Sequence, residues 1–141
     1  MGDYAGAMFD ERPDIQERLD SELVAWMTTV DVAGQPQSSP VWFLVQGESI
    51  VVYSLGKTPR TRNIEVNPMV SLNLNSTPSG GEVVVIEGTA EIVGMDPPAD
   101  QDDEYVAKYE GAMEDLGMTP ASFAADYPVR IHIQPTRLRA S

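Results

Sequence analysis

The sequence predicts a mainly β domain, a six-stranded antiparallel barrel with helices added. Three observations carry that expectation. Short apolar, β-branched runs recur between tight turns over residues 24–93 and again over 129–134. No internal repeat or low-complexity linker divides the 141 residues. Strands this apolar would expose sticky edges unless the sheet closes on itself.

The elements follow in order. Residues 1–13 show no sustained periodicity and read as a flexible arm, leaving 14–141 as a single domain. Ile15, Leu19 and Leu23 then repeat every fourth residue, which predicts a helix capped by Asp14. VAWMTTV (24–30) reads as a strand, residues 31–35 as a turn, and SSPVWFLV (38–45) as the returning strand. A second turn at 46–49 leads to a short strand over 50–54. The polar, basic loop 56–62 (GKTPRTR) opens a short helix at 63–67, before Pro68. Strands over 70–75 and 82–93 come next, then an acidic connection at 96–103. Val106, Tyr109, Met113 and Leu116 form a helical stripe that Gly117 ends. Thr119 and Pro120 start another helix as cap and first residue. The last strand covers 129–134.

Composition excludes much chemistry. Nine Lys and Arg face 22 Asp and Glu, for a net charge of −13. That balance opposes an extended nucleic-acid surface and docking on anionic lipid. Without cysteine there is no disulfide, thiolate nucleophile or cysteine-ligated metal. A single histidine, His132, removes multi-histidine metal centres. Residues 1–14 lack a basic segment followed by an apolar one, and no run approaches a membrane span, so the expectation is a cytoplasmic protein.

Two features can carry chemistry. Lys57, Arg60 and Arg62 concentrate three of the nine cations within six positions, at a loop that opens a helix. Cationic side chains, backbone N–H groups and the hydroxyls of Ser54, Thr58 and Thr61 suit a phosphate or carboxylate; the alternative is a solvated basic loop. The second feature is Pro40-Val41-Trp42-Phe43 inside a strand. Proline removes a ladder hydrogen bond, so it marks an edge, a bulge or a place where a planar ring meets the backbone. The plainer reading has Trp42 and Phe43 filling core or interface.

Other candidates are weaker. No G-x-S-x-G elbow accompanies His132. The acidic run 96–104 lacks the glycine and the twelfth-position Glu of a calcium loop, and suits a helix N-terminus instead. Ser79-Gly80-Gly81 is a turn rather than a phosphate loop.

The segments TTVDVAGQPQSSPVWFLVQGESIVVYS, KTPRTRNIEVNPMVSLNL and EVVVIEGTAEIV, followed by YVAKY, LGMTPASFAADY and PVRIHIQPTRLR, cover most of the chain. They resemble the pyridoxamine 5′-phosphate oxidase-like split-barrel flavoproteins, and more closely the actinobacterial branch of reductases that use the deazaflavin coenzyme F-420. The resemblance implies a six-stranded split barrel and a homodimer with the cofactor in a groove at its interface. It implies a cofactor phosphate held by Ser54, Lys57, Arg60, Arg62 and Asn63. It also implies a tricyclic ring lying against Pro40, Val41 and Trp42, with Arg137 and Arg139 near the partner's site. The implied activity is hydride transfer between reduced F-420 and an unsaturated small molecule. FMN is the alternative cofactor. A flavin, deazaflavin or haem carrier without turnover, with His132 as the haem ligand, is the alternative role.

Overall fold

The computed structural model describes residues 8–94 and 96–141. Helix α1 (Pro13–Ser21) leads into β1 (Ala25–Val30), β2 (Pro36–Val41), β3 (Phe43–Gln46) and β4 (Ser49–Ser54). Helix α2 (Pro59–Val66) is followed by β5 (Met69–Asn73) and β6 (Val84–Ile92). A 3-10 turn (Ala99–Gln101), α3 (Asp103–Asp115) and α4 (Pro120–Asp126) precede the long strand β7 (Val129–Ala140). Among the described residues, no helix is long and apolar enough to cross a membrane.

All strands join one antiparallel sheet in the order β2-β1-β5-β6-β7-β4-β3. Laid flat, its two edge strands would stand about 29 Å apart at the usual strand spacing. Yet β2 ends at Val41 and β3 begins at Phe43, a step of about 7 Å along the chain. The sheet must therefore roll until its edges meet at Trp42, which makes it a split barrel. Seven strands are present among the described residues where six were expected, because the run expected as one strand over 38–45 breaks at Trp42. Before the break β2 pairs with β1, and after it β3 pairs with β4.

Two cores result. Inside the barrel, Met27, Val41, Ile50, Val52, Ile86 and Ile133 pack together with Ile15 and Leu19 of α1. On the outer face of β4, Val51 and Tyr53 meet Tyr105, Tyr109 and Met113 of α3 and Phe123 of α4. Strand β4 is buried on both faces, which explains its unbroken apolar run. Tyr109 Oη ties the layers by accepting from Phe43 N at 2.6 Å and donating to Leu23 O at 2.8 Å. Gly88 lies at a register shift between β6 and β7, and a Cβ there would come 2.5 Å from Gln134 O.

Several boundaries differ from expectation. Of the N-terminal arm expected over 1–13, residues 1–7 lie outside the described residues, and Phe9 is buried in the barrel core. Helix α1 stops before Leu23, which is half-exposed. The buried stripe of α3 is Tyr105, Tyr109 and Met113, spaced by four, while Leu116 points outward at 65% exposure. Tyrosines win this face because their rings fill the outer core and their hydroxyls still reach backbone carbonyls. Strand β7 runs on to Ala140 because β6 offers it a partner along that whole length.

Candidate functional site

The basic segment folds by local capping. Thr58 Oγ1 accepts from Thr61 N at 3.2 Å, Thr61 Oγ1 accepts from Thr58 N at 3.1 Å, and Pro59 takes the first helical position. The hydroxyls of Thr58 and Thr61, expected as ligand donors, are thus spent on the cap. The helix also begins earlier than expected, so Arg60 and Arg62 lie on α2 and not in a loop.

That placement separates the cations. Side chains two apart on a helix face different directions. Arg60 turns inward, donating through Nη1 to Ser54 Oγ at 2.9 Å and through Nη2 to Ser39 Oγ at 2.6 Å. Lys57 and Arg62 are exposed and line a separate open depression with Glu65, Ile92 and Val129. Asn63 is buried, with its amide donating to Thr29 Oγ1 at 2.9 Å and Gln37 Oε1 at 2.8 Å. Of the five residues expected around a phosphate, Ser54 and Arg60 meet directly. Lys57 and Arg62 stand apart, and Asn63 braces α2 against β1 and β2.

Arg60 occupies the seam of the barrel. No ladder joins β2 to β4, and the guanidinium spans them from Ser39 to Ser54. Its buried Nε has no hydrogen-bond partner, and no carboxylate among the described residues pairs with it. Burial lowers its pKa, partly offset by Tyr127. A partly buried cation without a carboxylate partner suits an anionic group such as a phosphate.

Beside the seam lies a groove of about 290 Å³. Pro40, Val41 and Trp42 form one wall with Val24 and Tyr53; the connection after α3 supplies Leu116 and Met118, and α4 with its C-terminal cap supplies Phe123 and Tyr127. Pro40 fits because β2 is an edge strand. Trp42 stacks on Tyr109 (centroids 4.8 Å apart) and on Phe123 (5.4 Å), and Phe123 stacks on Tyr127 (4.5 Å). Trp42 therefore serves the outer core and lines the groove at once. Burial pushes the Tyr53 hydroxyl up to about 12, and it donates to Pro97 O at 2.8 Å. Among the described residues no lining side chain carries a charge, so the groove suits a flat, neutral body.

The remaining polar residues belong elsewhere. Buried Arg130 pairs with Asp102 at 3.6 Å and donates to Gln46 Oε1 at 3.0 Å; Gln46 in turn donates to Asp102 at 3.1 Å. His132 lies in a different cavity with Ser49, Glu91 and Gln134, and burial lowers its pKa. Among the described residues, no group of three His, Cys, Asp or Glu is arranged to hold a metal. Arg139 pairs with Glu87 at 3.0 Å, and Arg137 is exposed.

Sequence reasoning missed Ser39, Tyr53, Phe123 and Tyr127 as parts of this site. Ser39 carries no signal of its own, since only the β2 register brings it to Arg60. Phe123 and Tyr127 are four apart, on a capped helix and at its C-terminal cap, which marks a packed face but not what it faces.

Comparison with known proteins adds to this geometry. The family model for pyridoxamine 5′-phosphate oxidase matches residues 12–140. No curated protein matches the chain. Among solved structures, an F420 reductase is 25% identical with a TM-score of 0.70, over 88% of this chain and 94% of that one. A conserved hypothetical protein of Mycobacterium tuberculosis is 21% identical with a TM-score of 0.72, over 92% and 82%. A haem storage protein of Vibrio cholerae is 20% identical with a TM-score of 0.67, over 92% and 93%. The last two likenesses concern the fold.

Proposed function

The chain belongs to the pyridoxamine 5′-phosphate oxidase family, whose members bind flavins, and from that premise we propose that it is an oxidoreductase using coenzyme F-420. The observation that carries the reading is the Arg60 guanidinium, held between Ser39 and Ser54 without a carboxylate, at the side of a neutral aromatic groove. The likeness to an F420 reductase over most of both chains supports it.

The residues present fit such a group. Arg60 would take the phosphate through the second N–H of Nη1 and Nη2, which Ser54 and Ser39 leave free. Ser39 and Ser54 hold the guanidinium in place, so little side-chain freedom is lost on binding. Pro40, Val41 and Trp42 would line one side of the ring, and the apolar walls exclude water from it. When bound, reduced F-420 supplies a hydride to an unsaturated organic substrate. Lys57, just before α2, and Arg62, on its exposed face, would meet the anionic part of F-420 that extends past its phosphate. A haem would find no histidine in the groove, since His132 lines a different cavity.

The proposal extends to a homodimer with the cofactor between two chains. Exposed Trp26, Val66 and Met69 are apolar surface that a second copy would cover. Light scattering reads the oligomeric state. Side-by-side fluorescence titration with F-420 and FMN tests the cofactor, with micromolar binding of F-420 expected. Tighter binding of FMN would reassign the cofactor, and binding of neither would end the reading.

A further inference from the structure

We propose that Tyr127 Oη donates a hydrogen bond to a carbonyl oxygen of a flat, uncharged ring seated in the groove. This deepens the ring-binding reading above and rests on it for the ring's biological source. Three lining side chains carry an N–H or O–H: Trp42, Tyr53 and Tyr127. Tyr53 spends its proton on Pro97 O. Tyr127 Oη makes no hydrogen bond with any described residue, although packing positions its ring. It stacks on Phe123 at 4.5 Å with planes 16° apart, and Phe123 stacks on Trp42 at 5.4 Å. The capping box at Thr119 and Ser122 fixes the helix that carries Phe123, and Tyr127 caps its C-terminus by donating its backbone N–H to Phe123 O.

Trp42 is the competing donor, but its ring is stacked into the outer core against Tyr109 and Phe123. Tyr127 closes the far end of that stack. With no charge on the lining, a ligand that kept its own charge there would lose solvation without compensation. A neutral ring with one acceptor matches the groove. Two sources share that chemistry, the carbonyl of a cofactor ring and the carbonyl of a substrate such as an enone or quinone.

The test uses the purified full chain and a naphthyl ketone dye whose emission moves to the red when its carbonyl accepts a hydrogen bond. Wild-type protein is expected to bind the dye with red-shifted emission. Tyr127→Phe keeps the stack and is expected to bind about 3- to 10-fold more weakly, as for one lost hydrogen bond, with emission moved back to the blue. The same emission from both proteins overturns the proposal, as does failure of the wild type to bind. A blue shift in Trp42→Phe but not in Tyr127→Phe overturns it too, by moving the donor to the indole. Added F-420 or FMN then separates the sources: displacement of the dye assigns the carbonyl to the cofactor ring, and retained red emission assigns it to the substrate. If neither cofactor binds while the dye shift depends on Tyr127, the oxidoreductase reading fails and this one stands.

Discussion

Arg60 of α2 reaches Ser39 of β2 at 2.6 Å across a seam that no strand pairing closes. The same guanidinium holds Ser54 of β4 at 2.9 Å, so one cation on a helix bridges the two sides of the split. Among the described residues, every hydrogen-bond partner it has is a neutral hydroxyl. The charge is left for a ligand.

Arg60→Ala is therefore expected to weaken F-420 binding by about 10- to 100-fold, corresponding to ~1.5–3 kcal/mol for a charge-assisted contact. Lys57→Ala and Arg62→Ala, at exposed positions, should each cost less than about fivefold. Fluorescence titration of the three variants checks the order. Larger losses in Lys57→Ala and Arg62→Ala than in Arg60→Ala would show that the phosphate lies over the outer depression instead.

Lys108 gives a pH signature. Its Nζ donates to Leu19 O and Phe43 O at 2.9 Å each and sits 3.8 Å from the centre of the Phe43 ring. Burial lowers its pKa to about 8, against 10.5 for an ordinary lysine. Between those values the unfolded chain keeps the proton that the folded chain has released. Stability from this group therefore rises as pH climbs through that window. Wild type is expected to gain stability relative to Lys108→Met between pH 8 and about 10, read as the difference in unfolding midpoints. A flat difference would mean the folded-state lysine titrates normally.

The buried Asp102–Arg130 pair predicts an asymmetry. Asp102 faces Arg130 at 3.6 Å and also caps α3 by accepting from Tyr105 N at 3.3 Å. Asp102→Ala strands a buried guanidinium and should cost about 3–5 kcal/mol in urea unfolding. Combining it with Arg130→Met should recover part of that loss, because no buried charge then lacks a partner. If the double variant is less stable than Asp102→Ala alone, the pair is not the source of the cost.

Gly88→Ala is expected to lower stability by about 1–3 kcal/mol through overpacking. The added methyl would press on the Gln134 carbonyl, a backbone atom with no rotamer to yield. Chemical denaturation measures the loss. An unchanged midpoint would show that the register shift between β6 and β7 can open to admit a methyl.

Much of the fold is legible because its signals are local. The capped start of α4 at Thr119-Pro120 and the end of α3 at Gly117 read directly from residues within one turn. The run SSPVWFLV reads as a strand for the same reason, yet its break at Trp42 has no local cause. Val41 and Phe43 have different partner strands, and pairing over long range decides where the chain bends. The stripe of α3 shows a similar limit. Val106 and Leu116 have the right spacing for a buried face, but the outer core is lined by rings that Tyr105 and Tyr109 complement.

By itself the sequence determined the antiparallel strands, the caps, the concentration of cations at 57–62 and the resemblance that gathered them into one site. The tertiary structure decided how those cations divide. Each residue advances a helix by about 100°, so a start at Pro59 instead of Asn63 sets which arginine turns inward. It also assembled the groove, since Pro40–Trp42 and Phe123–Tyr127 come from opposite halves of the chain and meet only when the sheet rolls closed. Side-chain chemistry is written locally; the direction in which it points is set by packing between segments that the sequence lists far apart.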